Sequence, residues 1–190
     1  MMTRSEWRRR CPGWRAALRS VALVTMLITI LGGCREREGD GTPPLQQLAM
    51  LGESAWGLQA QGTTPFDSVT LFDLINGAAE SYTEHGLVSG YNQELTGEGD
   101  RRVDLYVMSL KEAGACGGLL DGLRETVTET MPVPGFADSD AFAASLGPAC
   151  NVYACQPPYF VEAHLFGYES CDEALEAALL ALSAYEDALQ

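Results

Sequence analysis

The chain has 190 residues, 46% of them hydrophobic, which is enough for one compact domain with its own core. It carries 26 Asp and Glu against 12 Lys and Arg, a net charge of −14. So acidic a chain lacks the basic face that binding to phosphates requires, and we therefore expect no nucleic-acid partner.

The first 33 residues predict an export signal that is separate from the domain. Six arginines precede an uncharged apolar run over residues 21–31, and the small pair Gly32-Gly33 follows. A basic head, a short apolar stretch and small residues before a cut are typical of a signal peptide. The apolar run is shorter than the roughly 20 residues of a membrane-spanning helix. Removal of residues 1–33 would leave 6 basic and 25 acidic residues, a net charge of −19 on residues 34–190.

Leu31-Gly32-Gly33-Cys34 resembles the lipobox of bacterial lipoproteins. The resemblance implies cleavage before Cys34, a diacylglyceryl group on its thiol, and usually a third acyl chain such as palmitate on the freed amine. These chains would anchor the protein to a membrane, since each buried CH₂ contributes about 0.8 kcal/mol. The alternative is an ordinary secretory signal that happens to end in cysteine.

The signal also indicates a route and a location. Cys11-Pro12 follows the arginine run where a twin-arginine signal would have hydrophobic residues, so we favour Sec export. Arg35 stands where an Asp often retains lipoproteins in the inner membrane. In a bacterium with two membranes, the sequence therefore favours the outer membrane.

Residues 34–44 are charged, rich in Gly and Pro, and without apolar periodicity, which predicts a flexible tether. A single α+β domain is then expected over residues 45–190. It would begin with a short helix at Leu45–Leu51, followed by a loop over residues 61–65.

The first strong element is a helix over about Thr70–His85, whose apolar residues recur at helical spacing. Gly86 suits the left-handed position that ends a helix. Asn76 and Gly77 lie inside this helix, although Gly costs about 1 kcal/mol relative to Ala in a helix interior. Two poor helix formers inside a segment with strong helical periodicity predict close packing or a functional site.

Two hairpins and two helices are predicted beyond this point. Ser170 and Glu173 form a capping box that opens the last helix, whereas residues 138–147 are ambiguous, with a weak indication of a short helix. The expected fold is α+β, with helices packed on an antiparallel sheet built from two hairpins in the order α-ββ-α-ββ-α. The predicted ranges are 87–95 and 102–110 for the first hairpin, 112–129 for a helix, 151–156 and 159–167 for the second hairpin, and 171–189 for the last helix.

Four cysteines remain in the domain besides Cys34, and an even number in an exported protein favours two disulfides. Cys150 and Cys155 would lie about 16 Å apart on one strand, beyond the reach of a disulfide. We therefore favour Cys150–Cys171, because the hairpin returns the last helix to the start of its first strand. Cys116 would pair with Cys155. Unpaired core thiols are the alternative, and no zinc site is expected, since the spacing of zinc knuckles is missing.

The two histidines offer little specific chemistry in the sequence. His85 ends the predicted helix, where a cation suits the negative end of the dipole, and Glu80 lies within helical reach of it. His164 is on the polar face of a predicted strand and is expected to be solvated. No catalytic constellation, metal site or cofactor motif is recognisable.

The segment Leu71-Phe72-Asp73-Leu74-Ile75-Asn76-Gly77-Ala78-Ala79-Glu80 and the strand Val103-Asp104-Leu105-Tyr106-Val107-Met108 resemble a bacterial family of exported proteins of unknown function. That family has an I-N-G-x-A-E helix followed by a V-D-x-Y-x-M strand. The resemblance covers roughly Trp56 to Leu165, with departures at His85 and at Ala115-Cys116-Gly117. It implies that Asn76, Gly77 and Glu80 form one local feature.

Three functions are compatible with these features. The favoured one is a lipid-anchored envelope protein that binds a protein partner or maintains the envelope without catalysis. A second is a carrier of an apolar ligand between sheet and helices. A third is a small enzyme that uses Glu80 with His85 or Asp73. The alternative for Asn76 and Glu80 is structural, with Asn76 bonded to a loop and Glu80 paired with Arg101 or Arg102.

Overall fold

The computed structural model describes residues 45–75 and 79–189. The predicted signal peptide, Cys34 and the tether therefore lie outside the described residues, as do Asn76 and Gly77.

The described residues form five helices and one six-stranded antiparallel sheet with strand order β1-β2-β3-β6-β5-β4. The predicted α+β class is confirmed, but the predicted order with two hairpins is incomplete. The helices are α1 (Leu45–Trp56), α2 (Leu71–Leu74), α3 (Ala79–Glu84), α4 (Ala115–Thr126) and α5 (Cys171–Ala188). The strands are β1 (Gln59–Asp67), β2 (Leu87–Thr96), β3 (Arg102–Leu110), β4 (Ala141–Leu146), β5 (Ala149–Gln156) and β6 (Tyr159–Phe166).

Helices cover both faces of the sheet, so the domain has two hydrophobic cores. On one face α1 and α5 pack against residues such as Leu105 and Val161. On the other face α3 and α4 pack against Met108 and Phe160. Because strand side chains alternate between faces, β3 contributes to both cores. On the second face of β3, Tyr106 and Met108 are buried beside the half-exposed Asp104.

The edge strands β1 and β4 are absent from the sequence-based prediction. β1 occupies the segment interpreted as a loop, and only Phe66 in it is buried, so it shows no alternation of apolar residues. β4 occupies the ambiguous segment, where four small or aromatic residues are buried in succession. A strand without period-2 alternation is hard to recognise locally, and both strands are fixed by pairing with distant neighbours.

The single helix predicted over Thr70–His85 is also wrong. α2 ends at Leu74, and Ile75 is extended, with φ −125° and ψ 106°. α3 begins at Ala79, so the chain leaves the helical conformation beside the two poor helix formers Asn76 and Gly77. Gly86 does adopt the predicted left-handed conformation, with φ 78°.

Both predicted hairpins are confirmed, as β2–β3 and β5–β6. The predicted capping box is confirmed as well: the Ser170 hydroxyl accepts a hydrogen bond from the Glu173 amide at 3.2 Å. The Glu173 carboxylate in turn accepts one from the Glu169 amide at 2.8 Å. It also pairs with Arg101 at 2.6 Å, which ties the start of α5 to the loop between β2 and β3.

Replacing Ser170 with alanine is expected to lower the free energy of unfolding by about 1 kcal/mol, because the Glu173 amide loses its acceptor. Urea denaturation followed by circular dichroism measures this loss. Ser183→Ala is a matched control, since Ser183 is exposed inside the same helix. Equal stability of Ser170→Ala and the wild type would contradict the assigned cap.

Two disulfides join the helical layers to one strand. Cys116 at the start of α4 is bonded to Cys155, and Cys150 is bonded to Cys171 at the start of α5, with Cα–Cα distances of 5.7 and 5.1 Å. These are the two pairs favoured by the sequence. Cys150 and Cys155 lie on opposite faces of β5, so each disulfide holds the helical layer of its own face.

Candidate functional site

Of the predicted functional patch, Asn76 and Gly77 lie outside the described residues, and no described contact joins Glu80 to His85. Asp73 and Glu80 are exposed. The His85 ring is half-buried, with Nδ1 2.7 Å from the Ser81 carbonyl oxygen, and it lies against Gly118 of α4. This geometry does not favour the enzyme that would use Glu80 with His85 or Asp73, and that hypothesis stays a prediction.

The arginines considered as partners of Glu80 form ion pairs elsewhere. Arg101 pairs with Glu173, and Arg102 pairs with Asp104 at 3.2 Å. The structural interpretation of Glu80 through these arginines is therefore not supported.

A different group of polar side chains lies on the face of the sheet that α3 and α4 partly cover. We call Glu162, Tyr82, His164, Tyr106 and Tyr153 the Glu162 cluster. The Glu162 carboxylate is buried, with 6% of the residue exposed. It accepts a hydrogen bond from the Tyr82 hydroxyl at 2.5 Å, and His164 Nε2 lies 2.7 Å from its other oxygen. Because an ionised carboxylate only accepts, His164 Nε2 carries the hydrogen.

Two further tyrosines flank the carboxylate. Tyr106 on β3 and Tyr153 on β5 stand directly opposite Glu162 in the sheet. Burial, and then the charge of Glu162, raises the pKa of both tyrosines to about 12. The same two causes raise the pKa of Tyr82 well above its usual value. All three hydroxyls are therefore protonated at neutral pH, and that of Tyr82 donates a hydrogen bond to the buried carboxylate.

His164 is not the solvated histidine that the sequence predicts. Its side chain is 24% exposed and forms an ion pair with Glu162 when protonated. Burial lowers its pKa, but the hydrogen bond and charge of Glu162 and the charge of Asp104 outweigh burial, so the pKa lies above 6.5. Glu162 lies two residues from His164 on the same strand, whereas Asp104 is brought opposite His164 by the long-range pairing of β3 with β6, which the local pattern does not show.

A second set of side chains crosses the sheet on the same face. We call Glu94, Asp104, His164 and Asn151 the polar row, because each stands directly opposite the next on β2, β3, β6 and β5. Burial raises the pKa of Asp104, although Arg102 and His164 lower it. The Arg102 guanidinium also lies over the Phe166 ring, 4.3 Å from its centre.

Asn151 ends the polar row in the protein interior. It is 6% exposed, and its amide nitrogen donates to the Tyr153 hydroxyl at 3.1 Å. Its side-chain oxygen is buried without a hydrogen-bond partner. A buried acceptor without a donor costs about 1–3 kcal/mol, so the row contains an unmet hydrogen-bonding capacity.

The arrangement is suited to binding through hydrogen bonds and charge. The four domain cysteines are all in disulfides, so none offers a free thiol nucleophile. In the part of the chain that the structure describes, no three or more His, Cys, Asp or Glu side chains are arranged to hold a metal ion.

The sequence contains one signal that would have found part of this site. Glu162 and His164 are two residues apart in a predicted strand and therefore share a face. Tyr82, Asp104 and Asn151 come from three other elements, and their approach to that face depends on the tertiary fold.

Comparisons with known proteins assign no family to the chain. No family model and no curated protein matches it. A solved structure, the extracellular domain of PknH from Mycobacterium tuberculosis, is similar with a TM-score of 0.54 and 10% sequence identity. The match covers 77% of this chain and 98% of that domain. At this identity the likeness concerns the fold alone.

None of the helices in residues 45–75 and 79–189 has both the length and the apolar character that crossing a membrane requires.

Proposed function

We propose that this chain is an exported protein, held to a bacterial membrane by lipid on Cys34, whose α+β domain binds a partner in the cell envelope without catalysing a reaction. The two disulfides carry the export part of the proposal, because such bonds persist in oxidising compartments and are rare in the cytosol. The similar solved domain is also extracellular. The lipobox resemblance supplies the anchor, and Arg35 favours the outer membrane.

The site supports binding as the activity of the domain. Glu162 is held by hydrogen bonds from Tyr82 and His164, which fix it in place. Next to it, the polar row is partly open to solvent, since the side chains of Asp104 and His164 are 26% and 24% exposed. Polar side chains that are partly exposed and held by hydrogen bonds suit the recognition of a partner, and the disulfides fix the sheet beneath them to both helical layers.

Crosslinking in the native envelope tests this function. The full-length protein is crosslinked in its own host, and captured proteins are identified by mass spectrometry beside a Cys34→Ala control. We expect one dominant partner whose capture depends on Cys34, because the anchor confines the domain near that partner. Capture that is unchanged by Cys34→Ala would contradict the role of the anchor, and turnover of a substrate by the purified protein would contradict a purely binding role.

A further inference from the structure

Helix α3 is joined to the sheet through a buried carboxylate. The Tyr82 hydroxyl donates a hydrogen bond to Glu162 at 2.5 Å, and the Tyr82 ring meets the Phe160 ring edge-on at 6.2 Å. α3 has only six residues, and the chain turns beyond it at Gly86, where φ is 78°. A helix this short has little stability of its own, so its place on the sheet depends on such contacts.

The negative charge of Glu162 is paired with His164 alone among the ion pairs that the structure describes. His164 Nε2 lies 2.7 Å from the carboxylate. The described ion pairs of Arg101, Arg102 and Arg124 are with other acids. A buried carboxylate without a cation is unfavourable, because water solvates a charge better than the protein interior does. The cost of keeping Glu162 covered therefore depends on whether His164 is protonated.

The neighbouring strands contribute further groups around this pair. Asp104 on β3 stands opposite His164 and favours the protonated ring, although Arg102 partly neutralises it. Glu94 on β2 lies one strand beyond Asp104. The tyrosine hydroxyls near Glu162 are uncharged at neutral pH; they belong to Tyr82, Tyr106 and Tyr153. The His164 side chain is 24% exposed, so it exchanges its proton with the solvent.

The helices on this face add one other histidine. His85 follows α3, with Nδ1 2.7 Å from the Ser81 carbonyl oxygen, and is therefore a second possible source of pH dependence in α3. The remaining charged side chains of α2, α3 and α4 are exposed, or paired in the case of Arg124 with Asp121; they are Asp73, Glu80, Glu84, Asp121, Arg124 and Glu125.

We propose that Tyr82, Glu162 and His164 form a proton-controlled latch, which holds α3 on the sheet while His164 is protonated and lets α3 open more often when His164 is neutral. Opening admits water to Glu162, and this is favoured once the charge of the carboxylate is no longer compensated. The fold raises the pKa of His164 above 6.5, which is the direction that this coupling requires. The latch therefore acts fully below about pH 6.5 and weakens as the pH rises through the pKa of the folded protein.

The latch goes beyond the proposed function and does not depend on the identity of the partner. Its consequence for that function is a surface that changes with pH. Opening of α3 uncovers the Glu162 carboxylate beside His164, which is part of the polar row.

Hydrogen exchange of the full chain in a neutral detergent, measured by mass spectrometry at pH 5.5 and pH 8, tests the latch. The His85 and Gly86 amides donate to carbonyl oxygens of α3, so their exchange reports its opening. Protection is the exchange rate of an unfolded peptide at the same pH divided by the observed rate. We expect it to be about fivefold lower at pH 8, because a charged hydrogen bond is stronger than a neutral one by about this factor.

A low concentration of urea separates opening of α3 from unfolding of the whole domain. Urea accelerates exchange in proportion to the surface that is exposed, so a small local opening responds little. We expect the amides at the end of α3 to be less protected than those of α5 and less sensitive to urea. Equal protection and an equal urea response in α3 and α5 would overturn the latch, because α3 would then open only with the whole domain.

Variants identify the titrating group. His164→Gln keeps a donor for Glu162 but cannot titrate, so the protection of α3 is expected to be the same at both pH values. His85→Gln is the matched control and is expected to keep the fivefold difference. In Glu162→Gln the difference should reverse, since protonated His164 then faces an amide instead of a carboxylate. A wild-type protein without the pH difference, or a difference that persists in His164→Gln and disappears in His85→Gln, would overturn the proposal.

Discussion

Replacing Cys116 and Cys155 with alanine is expected to lower the free energy of unfolding by about 4 kcal/mol. The two cysteines are 39 residues apart, and a cross-link that closes a loop of that length strongly restricts the unfolded chain. The bond also attaches the start of α4 to β5. Urea denaturation at fixed pH, followed by circular dichroism, measures the difference.

The second disulfide provides the comparison. Cys150 and Cys171 are 21 residues apart, so their joint replacement is expected to cost about 3 kcal/mol. The two loops overlap in sequence, so removing both bonds should cost less than the two separate losses together. If removal of each disulfide lowered the free energy of unfolding by less than about 1 kcal/mol, the stabilisation expected from the loop lengths would be contradicted.

Replacing Glu162 with glutamine is expected to destabilise the domain by about 1.5–3 kcal/mol at pH 5.5, where His164 is protonated. Glutamine still accepts from the Tyr82 hydroxyl, but its NH₂ group then faces the N–H of His164. At pH 8 the neutral imidazole can change tautomer and accept from that NH₂ group, so the loss should be smaller. Denaturation at the two pH values measures both losses.

The direction of the pH effect follows from the pKa of His164. Because the folded protein raises this pKa above 6.5, protonation of His164 favours the folded state. That contribution is fully present below about pH 6.5 and is lost as the pH rises through the pKa of the folded state. In Glu162→Gln the opposing effect of burial remains, so the pKa of His164 should fall.

Nuclear magnetic resonance of the His164 ring as a function of pH tests this directly. Asp104→Asn is expected to lower the pKa of His164 by less, because the influence of Asp104 is smaller than that of Glu162. Glu176→Gln is the control on the opposite layer. A His164 pKa that is unchanged in Glu162→Gln would contradict the assigned ion pair.

Local patterns predicted the elements that carry their own signals. The β2–β3 and β5–β6 hairpins have alternating residues and clear turns, and α5 has a capping box. β1 is an edge strand in which only one side chain is buried, and it contains Gly62 and Pro65. Its sequence therefore looks like that of a loop. The sequence could not place it, since its strand conformation depends on pairing with β2.

The candidate site was harder to predict than the fold. The Cys150–Cys171 pair followed from chain geometry, because a hairpin returns the chain to its starting point, and Cys116–Cys155 was the pair that remained. The polar row instead combines single residues from four strands, and each of them alone has an ordinary surface interpretation. Their juxtaposition requires the pairing of β3 with β6, which are about 50 residues apart in sequence.

The anchored, oxidised state of the protein is tested most directly by intact and tandem mass spectrometry of the chain purified from bacterial membranes without reducing agent. We expect an N-terminus at Cys34 that carries acyl chains, and four remaining cysteines joined as Cys116–Cys155 and Cys150–Cys171. A chain that keeps residues 1–33, or that begins at an unmodified residue with its domain thiols free, would contradict it.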